Sequence, residues 1–296
     1  MKTASQPMLG AIEAGGTKLV LAIGPSPDVI SERSTIETQD PATTLAEARR
    51  WFSDRGDFAA IGIATFGPAR IDPHAEDWGH ILPTTKPGWT GCDMAGFFQQ
   101  AFAVPVGFDT DVNGAALGEC YYGNSPDETS LAYVTVGTGI GGGLVIDGKP
   151  VHGIAHAEMG HILTPRAVGD HKFAGVCPHH GDCLEGLASG PAIIARWGKS
   201  LSELPADHPA HDIIASYLSQ LCHTIFSMTS VPRIILGGGV MQTPGLLENV
   251  RRRMPALDCG YLPGGTAHQI SAPSLGQNSG IVGALLLAKR ALDRSV

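Results

Sequence analysis

The chain has 296 residues, a formal net charge of −8, 43% hydrophobic and 16% charged residues. It is too long for one small core and too apolar for a disordered protein, so two domains or one large α/β domain are expected. The acidic balance excludes a nucleic-acid partner, whose phosphates demand a basic face. No run of about 20 apolar residues exists and Met1 to Met8 is polar, so neither a membrane span nor a signal peptide is expected and a cytoplasmic location follows.

In chain order, Leu9 to Glu13 and Leu19 to Gly24 flank Ala14-Gly15-Gly16-Thr17 and read as a β-hairpin. Val29 to Thr38 reads as a third strand. Pro41 to Phe52 carries an apolar stripe at Leu45, Ala48, Trp51 and Phe52 and reads as a helix. A buried strand is expected at Ala59 to Thr65, a turn-rich stretch at Pro83 to Trp89, a helix at Asp93 to Ala103, a strand at Val104 to Phe108 and a helix at Val112 to Tyr122. The opening pattern then recurs: a strand at Leu131 to Val136, a glycine turn over 137–143, and a strand at Leu144 to Ile146 ending in Asp147-Gly148. An irregular stretch from Gly153 to Glu185 follows. Helices at Gly190 to Trp197, His211 to Ser230 and Ser279 to Leu292, and a strand at Arg233 to Leu236, complete the reading.

Two strand-glycine-strand units, one per half, imply two similar α/β domains facing each other across a cleft. Gly137-x-Gly139-x-x-Gly142 matches the dinucleotide pattern, but an apolar strand follows where that fingerprint requires a helix. Taken alone, either turn is a plain hairpin. Taken together, successive N–H groups at Gly15, Gly16 and Gly139, hydroxyls at Thr17 and Thr138 and the charge of Lys18 suit a triphosphate. Gly237, Gly238 and Gly239 follow a strand and leave room for a flat ring such as adenine.

The ordered set Glu13-Ala-Gly-Gly-Thr-Lys18, Asp109-Thr-Asp111-Val-Asn113, Val136-Gly-Thr-Gly-Ile-Gly-Gly-Gly143, Glu158-Met-Gly-His161, Cys177-Pro-His-His-Gly-Asp-Cys183-Leu-Glu185 and Leu236-Gly-Gly-Gly239 resembles the ROK family of repressors and sugar kinases. With Thr84-Thr-Lys-Pro-Gly-Trp89 upstream, it looks most like the zinc-containing fructokinase branch. The resemblance implies an actin-like fold of two ribonuclease-H-like domains. These are taken as residues 1–116 and 117–278, with the helix over 279–296 packing back on the first and a zinc loop over 161–185. It also implies ATP with Mg2+, Glu13 as a magnesium holder through water, and a homodimer. Glu13 stands where many relatives have Asp, and His180 where many have a third cysteine. The chain begins almost at the first hairpin, leaving no room for the DNA-binding domain of the repressor members.

Cys177-x-x-His180-x-x-Cys183 offers three ligands at a spacing that suits tetrahedral zinc. The resemblance supplies His161 as the fourth, and His179 competes with His180 within the loop. His156-x-Glu158-x-x-His161 is not a zincin sequence, because its histidines lie five apart rather than four. The other four cysteines are expected as small buried side chains.

A sugar hydroxyl needs a base to take its proton during phosphoryl transfer. Asp111, after a strand and at a helix start, reads equally well as base or as N-cap; the resemblance favours the base. By the same resemblance Glu158, His161 and Glu185 hold sugar hydroxyls. Asn113 bonds sugar or braces its loop, and Gly67 with Pro68 shapes the pocket floor. The expected activity is ATP:D-fructose 6-phosphotransferase. The rivals are a kinase for glucose, mannose or an amino sugar, and a catalytically silent sugar sensor.

Overall fold

The structure is a computed structural model that describes residues 8–125 and 127–295; residues 1–7 of the polar stretch read for a signal peptide lie outside them. The chain divides into two compact units. Unit 1 draws on Met1–Pro126, Gly148–His156 and Gln277–Val296, and unit 2 on Asp127–Asp147 and Ala157–Gly276.

Unit 1 opens with an antiparallel hairpin, β1 (Leu9–Ala14) and β2 (Lys18–Gly24), extended by β3 (Glu32–Glu37). On its other side β1 pairs in parallel with β4 (Ala60–Thr65), and β4 with β5 (Val106–Thr110), giving the order β3-β2-β1-β4-β5. The six residues of β4 are all buried, as a strand covered on both faces must be. α1 (Pro41–Ser53) starts where Asp40 accepts from the Thr43 amide at 3.1 Å and Pro41 occupies the first turn. α2 (Met94–Phe102) is capped by Asp93 in the same way. Phe52 stands edge-on to Phe58 and Phe98, with ring centroids 5.4 and 6.2 Å apart, at the centre of an aromatic core beneath these helices.

α3 (Asp111–Tyr122) follows β5 without a gap, and α8 (Ser279–Ser295) lies against both α3 and the sheet. Glycine sets that closeness: a side chain at Gly62 would strike the backbone of Ala284, and one at Gly283 the backbone of Gly114. Glu119 is buried where Ser279 Oγ donates to it at 2.7 Å.

Unit 2 repeats the plan. β6 (Leu131–Val136) and β7 (Ile140–Ile146) form the hairpin, and β6 pairs in parallel with β9 (Arg233–Gly237), which pairs in parallel with β10 (Gln269–Ser271). The chain leaves β7 through the Asp147-Gly148 turn into the two-residue β8 (Lys149–Pro150). α4 (Leu184–Ala188), α5 (Gly190–Trp197), α6 (Pro209–Thr229) and α7 (Leu246–Asp258) complete the unit, with α6 contributing Ile214, Leu218, Leu221 and Ile225 to its core.

Several expectations are corrected. Val29 is not in β3; it bridges to Ser26 in a turn. The second glycine turn is shorter than expected, because Gly141, Gly142 and Gly143 pair across to β6 as part of β7. α4, α7, β8 and β10 are missing from the sequence reading. Arg251-Arg252-Arg253 and an internal Pro255 hide α7, which is held by buried Leu246 and Val250. Cys120 and Cys222 are buried, but Cys259 is exposed at a positive φ on the C-cap of α7.

Candidate active site and metal centre

In unit 1 the first glycine turn is braced from a distance. Gly15 N donates to Lys18 O at 2.9 Å, Thr38 Oγ1 to Gly15 O at 3.0 Å, and Thr38 N to Thr17 O at 3.0 Å. Lys86 Nζ donates to Gly16 O and lies 4.8 Å from the Phe66 ring centroid. Desolvation pulls the Lys86 ammonium below its ordinary value. Gly16, Thr17 and Lys18 are exposed. Neither Thr38 nor Lys86 was a sequence candidate; the only signal for Lys86 was its place in the Thr84–Trp89 motif. Glu13, on β1, has a carboxyl pushed above its usual range by burial, against the pull of Arg33 and Lys18, and its Oε2 has no hydrogen-bond partner among the described residues.

The β5–α3 corner is a closed hydrogen-bond set. Thr110, not Asp111, is the N-cap, accepting from Asn113 N at 3.2 Å. Asp109 Oδ1 accepts from Thr110 N and from Asn113 Nδ2, both at 2.7 Å, and Asp109 Oδ2 lies 2.9 Å from His152 Nε2. Asn113 is buried, and its Nδ2 donates to Asp109 Oδ1 across the corner. Asp111 is part-buried in the first turn of α3, with Oδ1 accepting from Val112 N at 2.9 Å. Gly67, joined to Pro68 by a cis peptide, is exposed just past β4.

In unit 2 the second turn and the Glu185 carboxylate are joined directly. Glu185 Oε2 accepts from Ile140 N at 2.8 Å, beside Thr138 and Gly139. Gly137 O accepts from Gly190 N at 2.8 Å at the start of α5. Gly160 packs so closely on Ile140 that any side chain there would strike its carbonyl. Of the third cluster, Gly237 is the buried last residue of β9, against Tyr133 Oη. Gly238 turns the chain at φ +93° and Gly239 is exposed. A side chain at Gly238 would strike the Val136 backbone, whereas Gly239 has open space beside it.

His161, Cys177, His180 and Cys183 converge, with one ligand atom from each lying within 4.8 Å of the others. His161 Nδ1 is 3.4 Å from Cys183 Sγ and 3.7 Å from Cys177 Sγ, and Cys177 Sγ is 3.7 Å from His180 Nδ1. Tetrahedral zinc, with Zn–S about 2.3 Å and Zn–N about 2.0–2.1 Å, sets sulfur and nitrogen ligands about 3.6 Å apart. The donor set fits that ion, and His180 rather than His179 is the residue that joins it. The loop is shaped by reciprocal bonds between Cys177 and Gly181 and by Leu184 N donating to Ile162 O at 2.9 Å, which brings residue 183 beside residue 161. Arg166 clamps it through Phe173 O at 2.6 Å and Asp182 at 2.9 Å. Burial, then the Cys177 thiol and the Glu185 charge, push the Cys183 thiol up to about 11, so a thiolate there would need a cation beside it. The other nitrogen of His161, Nε2, faces Glu158 at 4.0 Å and Glu185 at 3.9 Å.

The family model described as "ROK family" matches residues 9–291. The chain belongs to the ROK family. Among its ROK-family relatives, a fructokinase from Zymomonas mobilis is 44% identical, with 96% of this chain and 97% of the relative covered. A putative fructokinase from Bacillus subtilis is 40% identical, with 97% of each covered. A solved ROK hexokinase from Thermus thermophilus superposes with a TM-score of 0.77 at 24% identity, over 97% of this chain and 99% of that one. A ROK glucokinase from Streptomyces griseus, solved with glucose and AMPPNP, gives 0.73 at 23%, over 96% and 99%. The fold is thus the actin-like α/β class, carried on two mixed sheets.

Proposed function

We propose that this chain transfers the γ-phosphoryl group of ATP to D-fructose, giving fructose 6-phosphate. The observation that carries the reading is near-full-length identity of 36–44% to several fructokinases. The residues supply a consistent chemistry. Asp111 takes the proton of the sugar hydroxyl as it attacks phosphorus, and the Asp109–Asn113 bonds keep its corner still. Glu158, His161 and Glu185 hold sugar hydroxyls, carboxylates accepting and imidazole donating. Gly67 shapes the sugar side of unit 1. N–H groups of Gly15, Gly16 and Gly139, with Thr17, Thr138 and Lys18, bind phosphate oxygens, and Gly238 and Gly239 lie against adenine. Mg2+ arrives with ATP and neutralises charge on the phosphates. Zinc, held by His161, Cys177, His180 and Cys183, supplies a fixed loop rather than a reactive centre, because four protein ligands leave no open position. The enzyme works in the cytoplasm, where thiols stay reduced, and as a homodimer by its family resemblance.

The test is a coupled ADP-release assay with Mg-ATP over a hexose panel, run with wild type and Asp111→Asn. Turnover with fructose, falling roughly 10²- to 10⁴-fold in the variant as expected for loss of a general base, is the expected result. Turnover confined to glucose, mannose or an amino sugar would overturn the substrate. A variant as active as wild type would overturn the base.

A further inference from the structure

The segment 148–156 returns to unit 1 after β7 and carries two histidines that the proposed chemistry leaves unused. It has almost no apolar hold: Val151 is 41% exposed and Ile154 96%. Polar contacts anchor it instead. Gly148 O accepts from Tyr121 Oη at 3.2 Å and from an Arg290 guanidinium nitrogen at 2.9 Å. Further along, His156 Nε2 accepts from Ala69 N at 3.1 Å, just past Gly67-Pro68, and His152 Nε2 meets Asp109 Oδ2 at 2.9 Å. The two histidines thus hook the exits of adjacent parallel strands, β4 and β5.

Asp109 is the informative partner. Its side chain is 2% exposed, and a carboxylate so buried needs its oxygens satisfied. Thr110 N and Asn113 Nδ2 serve Oδ1 from within the corner. His152 is the one donor from outside the corner among the described residues, and it alone serves Oδ2. Contact with Asp109 also holds its imidazole above the ordinary value, against burial. Without that bond Oδ2 would be a buried acceptor with no partner two residues from Asp111, and would turn toward water, taking Thr110 and Asn113 with it.

We propose that His152 is a positioning residue for phosphoryl transfer: by holding Asp109 Oδ2 it fixes the β5–α3 corner and so the aim of Asp111. This rests on the reading of Asp111 as the base.

The experiment compares His152→Ala and His152→Gln in the full chain. Glutamine carries an amide N–H to about the position of Nε2; alanine carries none. The alanine variant is expected to lose about tenfold or more in kcat while KM for ATP stays within about twofold. Glutamine should keep most of kcat, and added imidazole should restore part of the alanine variant's turnover, since 32% of the His152 side chain is open to solvent. In an Asp111→Asn background His152→Ala should cost little more, as residues acting as a unit are not additive. Equal losses in both variants, unrescued and tracking a fall in Tm, would overturn the inference, as would wild-type kcat in His152→Ala. An activity-independent arm follows the backbone amides of Thr110, Asp111 and Val112 by NMR. If they stay put in His152→Ala, positioning is overturned whatever the turnover. If they move while wild type phosphorylates no hexose, the kinase reading fails and the corner coupling stands.

Discussion

Replacing Gly139 by alanine tests the link between the second glycine turn and Glu185, the carboxylate proposed to hold sugar. An ideal Cβ at Gly139 would lie 2.6 Å from Glu185 Oε2 and 3.4 Å from its Cδ, inside normal contact, while Gly139 itself has no positive φ to strain. The backbone therefore accepts alanine and the carboxylate must swing away, breaking the 2.8 Å bond from Ile140 N. A hydrogen bond to a charged group is worth about 1.5–3 kcal/mol. At about 1.4 kcal/mol per factor of ten, kcat/KM for fructose should fall roughly ten- to a hundredfold in the ADP-release assay if the bond holds Glu185 in its working position, with Tm lowered by no more than several degrees. Gly139 is also assigned to phosphate, so the route is separated by a cycle with Glu185→Gln. If the effect runs through Glu185, the double variant is no worse than Glu185→Gln alone. Fully additive losses, or a Gly139→Ala enzyme with wild-type kcat/KM, would refute the reasoning.

Metal analysis should find one zinc per chain, lost in Cys177→Ser. Chelation should expose the 163–182 loop to protease and raise KM for fructose before the rest of the fold melts. Phe52→Ala, at the centre of the aromatic core, should destabilise by about 3–5 kcal/mol, read from denaturant midpoints. The His152–Asp109 contact should stabilise most at acid pH: with the folded pKa raised, its contribution is complete below about 6.5, the unfolded value, and disappears as pH rises through the folded value. The Tm gap between wild type and His152→Gln should accordingly be wider at pH 6 than at pH 9.

The two hairpins, the strand before Asp111 and the metal loop were readable because each is written in contiguous residues: alternating apolar runs, clustered glycines, and three ligands within seven positions. What depends on distant partners was not. Asp109 and His152 stand 43 residues apart, and Lys86 lies 70 residues from Gly16, so no local pattern joins them. The glycines at 62 and 283 fall inside an expected strand and an expected helix, and nothing local shows that they serve as flat ground where α8 rests on its neighbours. α7 escaped because its exposed face is strongly basic and its apolar stripe narrow. His161 entered the metal set by resemblance alone; spacing offered 177, 180 and 183, with 179 competing for the place of 180.

The orientation of that histidine has one more consequence. Its Nδ1 points at the two sulfurs and its Nε2 at the two carboxylates. A metal on Nδ1 fixes the tautomer, so the proton resides on Nε2 and the ring can only donate there. Zinc occupancy would therefore decide the hydrogen-bond polarity that Nε2 presents to whatever meets it, a chemical message carried across one imidazole ring without movement of the chain.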